Sequence, residues 1–247
     1  MELKFINISN KEFNNLNLTI NSNIITGIYN AYNLEKLFNG LAYTGSILIN
    51  DSILSSYNES IISYISLNPM FYTSKVKDEF YLANRKSKLN NQEYLKKIES
   101  ILKIVKFDKE ILEKEIRYLS TSEKYMLNIA INLISNPDII ILENNQEFDN
   151  NIQSIIKNIV LELKKKYKKT IIIISNNINY LYDLSDNIVI FKNNNIVASG
   201  KTNSLFKKEN IPIPDLIKFS NLANSYNKKI KNYKDIKDLI KDVYKNV

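Results

Sequence analysis

The spacing of hydrophobic positions changes several times along this chain, and the changes divide it. Leu3, Phe5 and Ile8 begin a strand, and Leu16–Ile20 alternates apolar with polar residues through a second. Asn21–Ser22–Asn23 turns into a third strand, Ile24–Tyr29. A helix over 34–41 follows, with Asn33 as N-cap and Gly40 near its end. Gly45–Ile49 and Ile61–Ile65 read as further strands. From 70 to 135 the strand pattern is lost. Val76–Leu82, Tyr94–Val105 and Glu123–Ile134 carry helical spacing, with Leu95, Ile98, Ile101, Leu102 and Val105 on one stripe. Alternation then resumes with strand Ile139–Leu142, helix Asn151–Lys165, strand Thr170–Ser175, helix Asn179–Leu184 and strand Asn187–Lys192. Asn193–Asn194–Asn195 is a hairpin turn into Ile196–Val197–Ala198. Pro212 and Pro214 break the chain before a C-terminal helical segment that is amphipathic through Ile236, Leu239, Ile240 and Val243. Its polar face carries both signs of charge, which favours packing against the body or a partner over membrane insertion.

Aliphatic strands flanked by helices predict an α/β fold built on a largely parallel sheet. A chain of 247 residues with 44% hydrophobic content can bury a core and suits one domain with a subdomain. The longest aliphatic runs are strand-sized, far from the ~18 apolar residues of a membrane span, and Met1–Asn10 shows strand alternation rather than a signal pattern. With no cysteine there is neither a disulfide framework nor a thiolate metal site. The net charge of +8 raises a nucleic-acid reading, but the lysines are dispersed among 26 acids. The densest cluster, KKKYKK at 164–169, ends a predicted helix, where cations complement the helix dipole.

The order of elements resembles an ABC ATPase subunit across about residues 1–206, closest to the energy-coupling-factor or cobalt-importer type. The carrying strings are ITGI at 25–28, LFNGL at 37–41, GSILIND at 45–51, SLNP at 66–69, VKDEFYLA at 76–83, and DLSDNIVIFKNNNIVASG at 183–200. The resemblance implies an ABC ATPase-like, mostly parallel core over 1–69 plus 136–206, with N-terminal antiparallel strands. It further implies a helical subdomain over 70–135 and a C-terminal helical extension over 207–247.

The groups that handle phosphate in that family are missing at the matching positions. ATP hydrolysis needs the triphosphate cradled, neutralised and attacked by water. The family cradle is G-x-x-x-x-G-K-[ST]; here Gly27–Ile28 leads through Tyr29–Asn30–Ala31–Tyr32–Asn33 straight into LEKLFNGL. That turn is about five residues short and carries no glycine, lysine, serine or threonine. Tyr29 or Tyr32 is a candidate to fill the vacated space, and Lys36 falls inside the helix as a surface lysine. The strand that ends Asp-Glu in the family ends here Glu143–Asn144; Asn144 cannot act as a general base. Glu143 reads either as a cation ligand or as a strand-end carboxylate without function. The Q-loop glutamine position holds Leu67 and the switch-histidine position Asn176, in a chain with no histidine. The signature L-S-G-G-Q is Leu119–Ser120–Thr121–Ser122–Glu123: Ser120 survives, the glycines do not, and Glu123 adds like charge beside a polyphosphate. The D-loop persists as Phe148–Asp149, and Phe13 is a weak base-stacking candidate. Ser120, Glu143 and Asp149 are thus degenerate remnants, with no catalytic residue, metal site or cofactor expected.

Loss of every nucleotide motif with retention of the frame predicts a non-hydrolysing, pseudo-ATPase subunit. The resemblance places such a subunit on the cytoplasmic face of a membrane importer, with a paralogous ABC ATPase subunit and an integral membrane transport protein as partners. The matching docking stretch is Asn68, Pro69, Phe71, Tyr72 and Lys75, where Phe71 and Tyr72 read equally as core. The alternatives are a divergent but functional ABC ATPase, which alone would use ATP and magnesium, a soluble scaffold or nucleic-acid-associated module, and a decaying relic.

Overall fold

A computed structural model describes residues 1–31, 34–38, 42–54, 61–84, 90–144, 148–206, 211–226 and 230–246. Its strands are β1 (Leu3–Ser9), β2 (Leu16–Ile20), β3 (Ile25–Tyr29), β4 (Thr44–Ile49), β5 (Ser52–Ile53), β6 (Ile62–Ile65), β7 (Ile139–Glu143), β8 (Thr170–Ser175), β9 (Asn187–Lys192) and β10 (Asn195–Lys201). Its α-helices are α1 (Val76–Asn84), α2 (Asn91–Ile104), α3 (Thr121–Leu133), α4 (Asn150–Lys165), α5 (Ile178–Leu184), α6 (Thr202–Leu205), α7 (Asp215–Ser225) and α8 (Ile236–Asn246). Contacts divide the chain into two compact units. The first comprises Met1–Leu3, Asn21–Asn23 and Leu48–Ile171; the second comprises Lys4–Ile20, Ile24–Ile47 and Ile172–Val247. The fold is α/β, with an antiparallel sheet and a mixed, parallel-rich sheet.

In the first unit β6 runs parallel to β7, Ile62–Ile65 against Ile139–Leu142. Four of five β7 residues are buried, which explains its unbroken apolar run: a strand covered on both faces has no polar side to alternate with. α2 starts at a capping box, in which Asn90 and Glu93 satisfy each other's backbone N–H. It buries Tyr94, Ile98, Ile101 and Leu102. Leu95, assigned to that stripe by spacing, is 41% exposed and lies off the buried face. α4 buries Ile156, Ile159, Val160 and Leu163 and carries Lys164 and Lys165 in its last turn, where the dipole favours them.

In the second unit β9 lies between β3 and β10, parallel to the first and antiparallel to the second. β10 runs on to Lys201, past the predicted end at Ala198, because its register with β9 shifts between Ile196 and Ala198 and then resumes. Asp186 ties β3 to the start of β9: its carboxylate accepts the Ile25 N–H at 2.8 Å and its own N–H donates to the Ile25 carbonyl at 2.8 Å. Gly27 lets α5 close on β3, since a Cβ there would stand 2.5 Å from the Ser185 Oγ and 3.0 Å from a Leu181 methyl. The helix expected over 34–41 is, in its described part, a four-residue 3-10 turn, Leu34–Leu37. Leu34 and Leu37 are both buried, and i, i+3 burial suits three residues per turn. Asn33 and Gly40 lie outside the described residues. Among the described residues no helix is long and apolar enough to cross a membrane.

Candidate functional site

The first unit holds the residues that the sequence matches to the strand-end and signature motifs, and Ser120, Glu143 and Asp149 each have a partner within the protein. Glu143 closes β7, and its Oε2 accepts the Leu67 N–H at 3.0 Å. Its backbone carbonyl accepts the Tyr125 hydroxyl. The carboxylate thus clamps the chain at the Q-loop position, a role that spacing alone did not reveal. Asn144 is 2% exposed. It donates to the Gln153 Oε1 at 2.9 Å, and Gln153 donates back at 3.4 Å, a closed amide pair between β7 and α4. Asp149 is the N-cap of α4, its Oδ1 accepting the Ile152 N–H at 2.9 Å. Phe148 is buried with its ring 4.8 Å from that of Tyr125.

Ser120 and Glu123 form a capping box at the start of α3. The Ser120 Oγ accepts the Glu123 N–H at 3.2 Å, and the Glu123 Oε2 accepts the Ser120 N–H at 2.8 Å. The Ser120 backbone N–H holds the Glu123 carboxyl below its usual value, against a smaller opposing effect of burial. A negative side chain of the protein therefore already occupies the positive end of α3.

In the second unit β3 ends at a half-buried Tyr29. Asn30 holds the left-handed conformation at φ 60°, and its N–H donates to the Ser175 carbonyl at 3.2 Å. Ala31 is buried. Tyr32, Asn33 and the Lys36 side chain lie outside the described residues. Between 29 and 31 the chain offers no cation for a phosphate. Asn176 is exposed, and its neighbour Asn177 caps α5 by accepting the Asn179 and Tyr180 N–H groups at 3.0 and 3.1 Å. Phe13, the weak base-stacking candidate, is 1% exposed and packs edge-on against Phe191, 6.3 Å between ring centroids. It belongs to the core because Leu16, Leu18 and Ile20 carry β2 into the same unit as Phe191.

Around the proposed docking stretch a cleft of about 600 Å³ opens in the first unit. Met70, Phe71 and Tyr72 line it with Leu82 and Ala83 of α1 and Ile131 of α3. Met70 and Tyr72 are 77% and 76% exposed, and Asn68 is exposed, while Pro69, Phe71 and Lys75 are half-buried. Both Tyr72 and Met70 are large side chains left outside a core, the composition of a contact surface. Glu79 fixes this segment. It is 5% exposed, and its carboxylate accepts the Tyr72 and Thr73 N–H groups, each at 2.9 Å, and the Thr73 hydroxyl at 2.6 Å. The sequence signal for Glu79 is an acid on the apolar side of a helix, one residue before the buried Phe80 and three after the buried Val76. On the cleft floor Asn132 donates to Asn128 at 2.8 Å and accepts from Ser63 at 2.5 Å.

The 164–169 cluster is partly engaged inside the protein. Lys169 is buried and donates to the Asn136 carbonyl at 3.1 Å, and Lys166 donates to Glu162 at 3.4 Å while standing over the Tyr167 ring.

No family model matches the chain. An energy-coupling-factor transporter ATP-binding protein of Malacoplasma penetrans is 28% identical over 209 residues, which span 78% of this chain and 72% of that protein. A second such protein, of Mycoplasma mobile, is 28% identical over 193 residues, 77% of this chain and 67% of its own length. Among solved structures, the cbiO1 protein of Clostridium perfringens, described as part of an ABC transporter complex, superposes with a TM-score of 0.73. It is 22% identical and covers 91% of this chain and 96% of its own. In fold and in sequence the chain is similar to the ATP-binding proteins of ABC transporters, those of the energy-coupling-factor type among them.

Proposed function

We propose that this protein is a non-hydrolysing nucleotide-binding-domain homologue, seated on the cytoplasmic face of a membrane importer. Its partners are an active paralogous ATPase and an integral membrane protein. The observation that carries the reading is the internal engagement of the remnant polar groups. Glu143 holds the Leu67 N–H, Asn144 is closed onto Gln153, and Glu123 occupies the α3 N-terminus together with Ser120. The Glu143 carboxylate serves the Leu67 backbone, and the asparagine beside it cannot take a proton from water. The cleft lined by Met70, Phe71 and Tyr72 supports the docking half of the reading: it is concave, partly aromatic, and held in shape by the buried Glu79.

The test is a calorimetric titration of the full chain with magnesium-ATP, alone and after co-expression with an intact cassette and a membrane protein encoded beside it. The chain alone is expected to give no heat, and to co-purify with those partners. Micromolar nucleotide binding by the isolated chain would overturn the non-hydrolysing reading. A monodisperse monomer that ignores both partners would overturn the docking reading, and Tyr72→Ala with Met70→Ala separates the two because neither side chain belongs to the remnant motifs.

A further inference from the structure

The C-terminal segment carries an unpartnered face unrelated to the nucleotide motifs. On α8, Leu239 is 5% exposed and anchors the helix, whereas Ile236, Ile240 and Tyr244 are 58%, 45% and 83% exposed. These three are spaced i, i+4, i+8, so they form one stripe along the helix. At about 100° per residue, Lys237 and Lys241 fall on the arc directly beside that stripe, and Asp238 and Asp242 on the arc beyond them. The polar face carries both signs, as the sequence predicts, with the lysines on the arc nearer the stripe. Of the two aspartates, Asp242 is half-buried and hydrogen-bonds to Tyr233, whose hydroxyl pKa is raised above its ordinary value by burial first and then by Asp242, whereas Asp238 is exposed. Lys237 is exposed, and Lys241, though 3.2 Å from Asp238, has a largely exposed side chain. On α7 a second exposed stripe, Phe219, Leu222 and Tyr226, follows at i, i+3, i+7. Asn224 exchanges two hydrogen bonds with Ile230, and the Lys234 ammonium donates to the Ser185 carbonyl at 2.6 Å.

We propose that α8 lays its Ile236–Ile240–Tyr244 stripe, with Lys237 and Lys241 beside it, directly on an anionic lipid surface. Such a surface offers what this arrangement lacks: an apolar depth for two isoleucines, a headgroup layer suited to a tyrosine ring, and negative charge opposite the lysine arc. A second copy pairing antiparallel through the same stripe would set lysine arc against lysine arc, an unfavourable register. A direct bilayer contact is independent of the docking cleft in the first unit, since it needs no membrane protein.

The experiment is co-sedimentation of the full chain with protein-free vesicles of phosphatidylcholine, alone or mixed with phosphatidylglycerol, with solution mass by light scattering measured in parallel. The wild type is expected to bind only the phosphatidylglycerol vesicles and to be released by high salt. Ile240→Ser with Tyr244→Ser, and separately Lys237→Glu with Lys241→Glu, are each expected to weaken partition about tenfold or more. Lys237→Arg with Lys241→Arg should retain it. All four positions are exposed, so an unchanged melting temperature separates lost binding from lost fold. No binding to anionic vesicles, or binding that the Ile240/Tyr244 variant leaves unchanged, overturns the proposal. So does a dimer that the Ile240/Tyr244 variant dissolves without any vesicle binding, which would make the stripe an interface between copies.

Discussion

Asn7, Asn15, Asn23, Asn30, Asn50, Asn136, Asn193 and Asn194 all hold positive φ in a chain with only four glycines. Asparagine tolerates the left-handed region better than other side chains because its short amide can bond locally, yet it still meets the Cβ clash that glycine avoids. The β9–β10 hairpin shows the consequence. Asn193 and Asn194 take φ 50° and 59°, as a two-residue type I′ turn requires. Asn193→Gly is expected to stabilise the protein by about 0.5 kcal/mol, and Asn193→Val to destabilise it by about 1–2 kcal/mol, both read from thermal melting. Gly45 is the converse case. At φ 93° its missing Cβ would stand 2.5 Å from the carbonyl oxygens of Ile6 and Asn7, so here the backbone of β1 leaves no room for a side chain.

At the scale of elements, what the sequence made visible was periodicity, and what it hid was pairing. Strands β8 and β9 end where alternation and turn residues place them, and α4 begins one residue early because Asp149, not Asn150, caps it. Leu34–Leu37 reads as α-helix in the sequence because helical and 3-10 spacing share the i, i+3 contact over so short a run. Glu123 was legible as a charge at the signature's glutamine position, but its capping partnership depends on backbone geometry that spacing does not reveal. That box gives a pH prediction. The folded Glu123 carboxyl lies below its ordinary 4.5, so its stabilisation is complete above the unfolded value and fades as pH falls through the folded one. Glu123→Gln, which keeps an acceptor, is expected to be less stable than the wild type at neutral pH and to converge with it in acid melts. Ser120→Ala should lose about 1 kcal/mol at either pH. The α1 side of the cleft is more fragile. Glu79→Ala leaves the Tyr72 and Thr73 N–H groups without their acceptor, and should lose about 2–4 kcal/mol in denaturant titrations, with the 70–75 segment losing amide protection first.

For the molecule as a whole, the non-hydrolysing reading proposed above means that frame and chemistry have separated. The aliphatic strands, the Asp186 tie and the caps of α2, α3 and α4 are all in place, while the polar positions of the nucleotide motifs bond to the protein's own backbone and amides. This is why the architecture could be read in the sequence and the present roles of Glu143 and Asn144 could not. Hydrophobic periodicity reports burial along one element, whereas an amide pair such as Asn144 with Gln153 joins two elements and has no periodicity. The separation predicts that the chemistry cannot be restored one residue at a time. Asn144→Glu supplies the carboxylate type that general-base catalysis needs, but at a site that is 2% exposed, beside Glu143, and against a Gln153 that can offer only its N–H. A buried carboxylate without a cation either remains protonated or destabilises the fold, so the variant should lose about 2–4 kcal/mol in denaturant titrations. Phosphate release from ATP should stay at the level of the wild type, because the bend from Tyr29 to Ala31 still presents no cation to a triphosphate. A stable Asn144→Glu variant with magnesium-dependent ATP turnover would show instead that a working nucleotide seat persists and that only its base had been lost.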